Sequence, residues 1–299
     1  MRRYGIDISA WQRNFDIEKA RLDYGVEFVI IKAGGGDAGL YTDKYFKRNY
    51  NLCEQLGMPK GCYFFSKAMT MESAQKEVEY FLNIIKGKRF DYPIFMDYEG
   101  KMLSLDRHTL TDIAKYQLKT LQDAGYWVGI YTSESHFNDH FIDEELKGYS
   151  HWVANYTAEE PPKLKYSATQ MWQCCGSRSA AVNPIMLGEP IDQNYCYIDY
   201  PARIKAKGLN GYPNTVLQPN ESSLSTEYKV QAYAFLVRSN ATNALIKLNK
   251  AGYTGCVIKS GLNYLVLIGS YSTKESANKC GKEMVSKKLI KSYIVKKTK

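Results

Sequence analysis

The chain of 299 residues is 44% hydrophobic and 13% aromatic, which excludes a disordered protein and leaves room for one large domain beside a smaller one. Its net charge of +9 sits at one end: positions 226–299 hold 14 Lys/Arg against 3 Asp/Glu, so the tail is expected to meet an acidic or polyanionic surface. Seven scattered cysteines without a C-x-x-C argue for buried free thiols rather than a disulfide framework, and no run approaches the ~20 apolar residues of a membrane span.

The N-terminal "MRRYGIDISAW" has two arginines but no apolar segment of signal-peptide type, so synthesis in the cytoplasm is expected. Short β-rich runs then recur: YGIDIS (4–9), FVIIKAG (28–34), GCYFFS (61–66), PIFMDYE (93–99) and WVGIYTS (127–133). Amphipathic segments separate them. In "MESAQKEVEYFLNIIKG", Met71, Ala74, Val78, Phe81, Leu82 and Ile85 recur at steps of three and four, the helical spacing. Five strand–helix units in a row suggest a parallel sheet.

After "SESHFNDHFIDEEL" three strands, HWVANY (151–156), SATQMWQ (167–173) and PIDQNYCYI (190–198), follow without long helices between them. Eight strands with five helices point to an irregular (β/α)5β3 TIM-like barrel over residues 1–207, with an open doubly wound sheet as the competing arrangement. Positions 208–226, rich in Gly, Pro, Asn and Ser, have the composition of a linker. Over 227–299 the order β-α-β-β-α-β, with a helix through Ala241, Leu245 and Leu248, predicts a small α+β ferredoxin-like domain.

The chemistry concentrates in "YPIFMDYEG". Asp97 and Glu99 are two residues apart and share one side of a strand. Crowded carboxylates separate in pKa, one ionised and the other holding its proton, which is the pairing glycosidic bond cleavage uses. Asp7, near the end of the first strand, and Asp192, at the start of the last, would join them at the mouth of a closed barrel. Tyr63, Tyr131 and Trp152 would supply aromatic walls suited to sugar rings. His136 and His140 are four apart on a predicted helix, but there is no H-E-x-x-H, and no metal or other cofactor is expected. The glycine-rich "AGGGD" lacks the Lys-Ser/Thr of a phosphate loop.

At these positions the chain resembles the family 25 glycoside hydrolases, the Chalaropsis-type lysozymes common among phage endolysins. "YGIDIS-W", "GCYFFS", "FMDYEG", "GIYTS", "HWVANY", "QMWQ" and "PIDQN" stand in that family's order over roughly residues 3–200. The resemblance implies the (β/α)5β3 barrel and cleavage of the β-1,4 bond between N-acetylmuramic acid and N-acetylglucosamine in peptidoglycan. Glu99 would be the general acid, Asp97 its assistant, Asp7 and Asp192 the flanking acids, and Tyr63, Tyr131 and Trp152 the lining of the sugar subsites. Phe64, where the family often has His, and "KAGGGD" in place of a Thr-Glu-Gly-like segment depart from the pattern. The tail, over about 228–296, resembles a SPOR repeat, which implies binding to peptidoglycan glycan strands. It has no aromatic RNP1 pattern, so no nucleic-acid partner is expected, nor is membrane insertion. The endolysin resemblance implies release to the cell wall through a holin or by lysis. A non-catalytic wall-glycan-binding protein, or a glycosidase on another N-acetylhexosamine polymer such as chitin, are the alternatives.

Overall fold

A computed structural model describes residues 2–36, 39–176, 185–213 and 227–298. The chain forms two compact units, one within residues 1–216 and the other over 217–299, with residues 55–57 grouped with the second.

The first unit is a closed barrel. Its strands are β1 (Arg3–Ile8), β2 (Phe28–Gly35), β3 (Lys60–Ser66), β4 (Ile94–Tyr98), β5 (Val128–Ser133), β6 (Ser150–Ala154), β7 (Met171–Cys175) and β8 (Asp192–Cys196). Neighbours from β1 to β7 run parallel, β1 also pairs β2, and β8 closes the ring antiparallel to both β7 and β1. Helices α1 (Ile17–Tyr24), α2 (Phe46–Leu56), α3 (Met71–Ile85) and α4 (Arg107–Asp123) follow the first four strands; α5 (Glu134–His140) and α6 (Asp143–Leu146) follow β5. This is the (β/α)5β3 arrangement, and ring closure excludes the open sheet.

Local chemistry explains the boundaries. Thr70 and Ser73 form a reciprocal capping box that starts α3, whose buried face is Ala74, Val78, Phe81 and Ile85, the expected stripe. Asp106 accepts from the His108 and Thr109 amides and starts α4. The seventh strand begins at Met171 rather than at 167. Ser167 is spent on a hydrogen bond to the Asp143 carboxylate, and Thr169 donates to the Pro162 carbonyl at 2.6 Å, so both are held in the preceding loop.

Alternate residues fill the barrel interior: Phe28 and Ile30 from β2, Phe95 from β4, Trp152 and Ala154 from β6, Met171 from β7. Two rings demand glycine opposite them. A Cβ on Gly5 would lie 2.4 Å from the Phe28 ring, and one on Gly129 would lie 2.4 Å from the Phe95 ring. After β8, α7 (Tyr200–Ala206) leads into residues that the composition reads as linker but that pack on the barrel. Asn210 is fully buried, donates to the Tyr92 carbonyl at 2.8 Å and accepts from the Trp127 amide at 2.6 Å. One well-placed amide side chain outweighs the flexible composition there. The remainder of that segment, 214–226, lies outside the described residues.

The second unit is β9 (Glu227–Phe235), α8 (Arg238–Lys250), β10 (Gly255–Ser260), β11 (Asn263–Tyr271), α9 (Lys274–Ser286) and β12 (Ile294–Thr298). Its antiparallel sheet has the order β10-β11-β9-β12 of a ferredoxin-like fold. Val230, Val266 and Ile268 meet Ala241, Leu245 and Leu248 of α8 and Ala277, Cys280 and Met284 of α9 in its core.

Candidate active site

The parallel strands all end at one mouth, and the acids collect there. Asp7 is the last residue but one of β1, Asp97 the last but one of β4, and Glu99 follows directly. Asp192 opens the antiparallel β8 and stands in register with Asp7. The four acids foreseen in the sequence therefore occupy one end of one barrel.

Asp7 is buried and held by two amides: Gln173 Nε2 at 2.9 Å and Asn194 Nδ2 at 2.8 Å both donate to its Oδ2. Burial and the charge of Asp192 nevertheless push its carboxyl well above the usual range, and the two amides oppose that only in part. The amides are themselves fixed. Tyr131 and Tyr156 donate their hydroxyls to Gln173 Oε1 at 2.7 and 2.8 Å, and Trp152 Nε1 donates to Asn194 Oδ1 at 2.7 Å. Gln173 and Asn194 thus turn three aromatic donors toward one carboxylate.

Asp97 is 5% exposed, and its Oδ1 is buried without a hydrogen-bond partner among the described residues. Burial first, and then the neighbouring Glu99 charge, raise its carboxyl well above the ordinary range, while Lys32 and Lys67 pull it back. These two ammonium groups flank one ring, lying 4.8 and 4.1 Å from the centre of Phe65. Lys32 also stands 5.9 Å over Tyr63. Glu99 is half-buried and occupies the N-cap position of the short helical turn Gly100–Ser104 without a side-chain capping bond. Behind the site, the buried Glu77 of α3 accepts from the Ser66 hydroxyl at 2.5 Å, the Lys67 amide at 2.7 Å and Gln117 Nε2 at 3.0 Å, which fixes the chain leaving β3.

The three aromatic residues lie at different depths. Trp152 is 1% exposed and Tyr131 6%, so both are buried. They form the floor: the Trp152 ring lies 4.4 Å from Tyr131 and 5.2 Å from Phe95. Only Tyr63 of the three expected walls is partly exposed. The exposed ring at this end is Trp11, at 75%, in the turn that follows β1. That turn is rigid, because Ser9 and Gln12 cap each other and Asp43 Oδ2 accepts from the Ala10 amide at 2.9 Å.

Gln173, Asn194 and Tyr156 were each inside quoted motifs yet were not singled out. The signal was available: in the strand period of two, Gln173 follows Met171, Asn194 follows Asp192, and Tyr156 follows Trp152 and Ala154. His136 and His140 approach ring to ring at 5.7 Å, and no cluster of three or more His, Cys, Asp or Glu able to hold a metal occurs among the described residues.

Barrel and mouth together define a protein of the carbohydrate-handling class, with paired carboxylates over an aromatic floor. Residues 6–181, more than half the chain, match the family Glycosyl hydrolases family 25, and the chain belongs to that family. Residues 224–296 match the SPOR domain. An Escherichia coli K12 protein of uncharacterized function, YegX, is 27% identical over 179 residues, which cover 57% of this chain and 62% of that relative. Among solved structures, the CTP1L endolysin is 26% identical with a TM-score of 0.59, covering 69% of this chain and 70% of its own. The modular autolysin LytC of Streptococcus pneumoniae is 25% identical with a TM-score of 0.56, covering 66% of this chain and 47% of its own. A family 25 glycosyl hydrolase from Bacillus anthracis shares the fold at 20% identity and a TM-score of 0.55, over 66% of this chain and 89% of its own.

Proposed function

We propose that the chain is a peptidoglycan hydrolase of N-acetylmuramidase type that cleaves the β-1,4 bond between N-acetylmuramic acid and N-acetylglucosamine, with the SPOR domain attaching it to wall glycan. The observation that carries this reading is the pair of acids at the end of β4: Asp97, buried at 5% exposure, and the half-buried Glu99 two residues on, both at the mouth of the barrel. Such a pair retains a proton near neutrality. Glu99, the more exposed of the two, is placed to deliver that proton to the glycosidic oxygen when a glycan chain fills the mouth and excludes water.

Once the proton has left, the ionised pair stabilises the positive charge that develops on the sugar, and Asp97 is placed to hold the substrate's acetamido group or a water. Asp192 adds negative potential from the opposite side, next to Asp7, which Gln173 and Asn194 fix. The basic SPOR unit supports attachment to an anionic wall. Synthesis in the cytoplasm and release by a holin or by lysis, as for a phage endolysin, is the biological setting we infer; likeness to the CTP1L endolysin supports it.

Digestion of purified peptidoglycan, followed by borohydride reduction of the new ends, tests the bond and the proton donor together. Muramitol is expected from the wild type and a loss on the order of 10²–10⁴ in rate from Glu99→Gln, with wall binding retained. Glucosaminitol would refute the bond assignment, and a Glu99→Gln enzyme within about tenfold of wild type would refute the donor.

A further inference from the structure

A second cleft opens at the opposite end of the barrel, and none of the acids described above touches it. It is formed where β5 and β6 begin and where α7 packs beneath them, and it holds about 940 Å³ counted out to its open mouth. Its rim carries Lys147, Arg203 and Lys207, all exposed, and no Asp or Glu is among its lining residues. Lys147 has an exposed pairing with Glu144 at 3.8 Å outside the cleft. Lys207 lies 5.1 Å over the indole of Trp127, which stands edge-on to Tyr200 at 5.8 Å. Three cations gathered on an aromatic cleft with no opposing acid attract an anion, and the indole keeps the Lys207 ammonium in place rather than neutralising it.

The floor points the same way. Tyr200 is 1% exposed and lines the cleft, its hydroxyl buried beside Ser150. Next to it, Trp127 Nε1 donates to Ser150 Oγ at 2.9 Å. Gln170 also lines the cleft, with Oε1 already accepting from the His151 amide at 2.6 Å, so its amide N–H group is what it has to offer. The charged groups of the cleft among the described residues are therefore all cations, set beside aromatic walls.

We propose that this cleft is a binding site for an anionic sugar or polyol unit, its carboxylate or phosphate held by Arg203 and Lys207 beside the Trp127 indole. The site is separate from the acid cluster, so it stands or falls independently of the catalytic reading. In a wall polymer the same anion chemistry comes from the carboxylate of a muramyl unit or from a phosphodiester of a polyol chain.

The test uses the full chain labelled with ¹⁵N, following the indole N–H resonance of Trp127 assigned by Trp127→Phe. Inorganic phosphate, N-acetylmuramic acid, glycerol 3-phosphate and neutral N-acetylglucosamine are titrated in turn. The charged ligands are expected to move this resonance saturably and N-acetylglucosamine to leave it in place; the tighter of the two organic anions identifies the source. Arg203→Ala combined with Lys207→Ala should weaken binding by about tenfold or more. A resonance that does not respond to the anions, an equal response to N-acetylglucosamine, or unchanged affinity in the double variant would each overturn the proposal. Hydrolysis rates on soluble glycan should be the same in wild type and all these variants.

Discussion

Replacing Asp97 by Asn should make the protein more stable and nearly inactive, with the stability gain growing as pH rises. The folded protein holds the Asp97 carboxyl well above its ordinary range, whereas the unfolded chain releases that proton near pH 4. Between those two pKa values the native state binds the extra proton, so wild-type stability falls with rising pH, by at most about 1.4 kcal/mol per pH unit for one group. Asn does not titrate and escapes this loss. With Lys32 and Lys67 offsetting part of the penalty and one carboxylate oxygen left without a partner, we expect a gain of about 1–2 kcal/mol at neutral pH, fading toward pH 4. That corresponds to a rise of roughly 2–8 °C in melting temperature for a unit of this size. Urea denaturation at a series of pH values gives the stability difference, and turbidity loss of wall suspensions gives activity, expected to drop by about 10²-fold or more. A variant less stable than wild type at neutral pH, or a difference flat across the range, would show that Asp97 carries a structural charge and that the reasoning is wrong.

Three further outcomes follow from the geometry. Trp152→Phe deletes the donor to Asn194 Oδ1 and leaves a smaller ring, so turnover of wall suspensions should fall by about tenfold with a stability loss of about 1–2 kcal/mol; an unchanged rate would disconnect Asn194 from Asp7. Trp11→Ala, at an exposed ring, should raise KM several-fold with kcat and melting temperature nearly unchanged, since a sugar face stacked on an aromatic ring is worth about 1 kcal/mol. Removing residues 217–299 should weaken attachment to whole walls and flatten its salt dependence while leaving the hydrolysis of soluble fragments intact; pull-down at two ionic strengths reads this directly.

The sequence carries the barrel's strand count because each strand is a short apolar run, and it carries the four acids because they end or begin such runs. Depth inside the barrel is a different matter. Tyr131, Trp152 and Met171 are register partners across β5, β6 and β7, but strand tilt carries register partners to different heights along the barrel axis. Period-two alternation assigns Trp152 to the inner face and says nothing of its height, so an inward tryptophan reads equally well as wall or floor. The burial of Asn210 is illegible for a related reason: its partners, Tyr92 and Trp127, are 118 and 83 residues away. Gln173 and Asn194 were within reach of the same alternation rule, but amides lack the desolvation conflict that draws attention to a buried acid.

The direction of β8 decides what the last strand can contribute. Had β8 run parallel to its neighbours, its end at Cys196 would have met the mouth, and Asp192 would have lain at the far end with the start of β1. Running antiparallel, it pairs Arg3 with Cys196 at the closed end and Asp7 with Asp192 at the mouth. The same reversal places Asn194, two residues on and paired with Gly5, where its amide reaches Asp7 and its oxygen meets the Trp152 indole. One strand reversal thus delivers an acid that raises the Asp7 carboxyl and an amide that opposes the rise. The three helix-poor strands at the end of the barrel are the means by which a second pair of carboxylates is set across from Asp97 and Glu99.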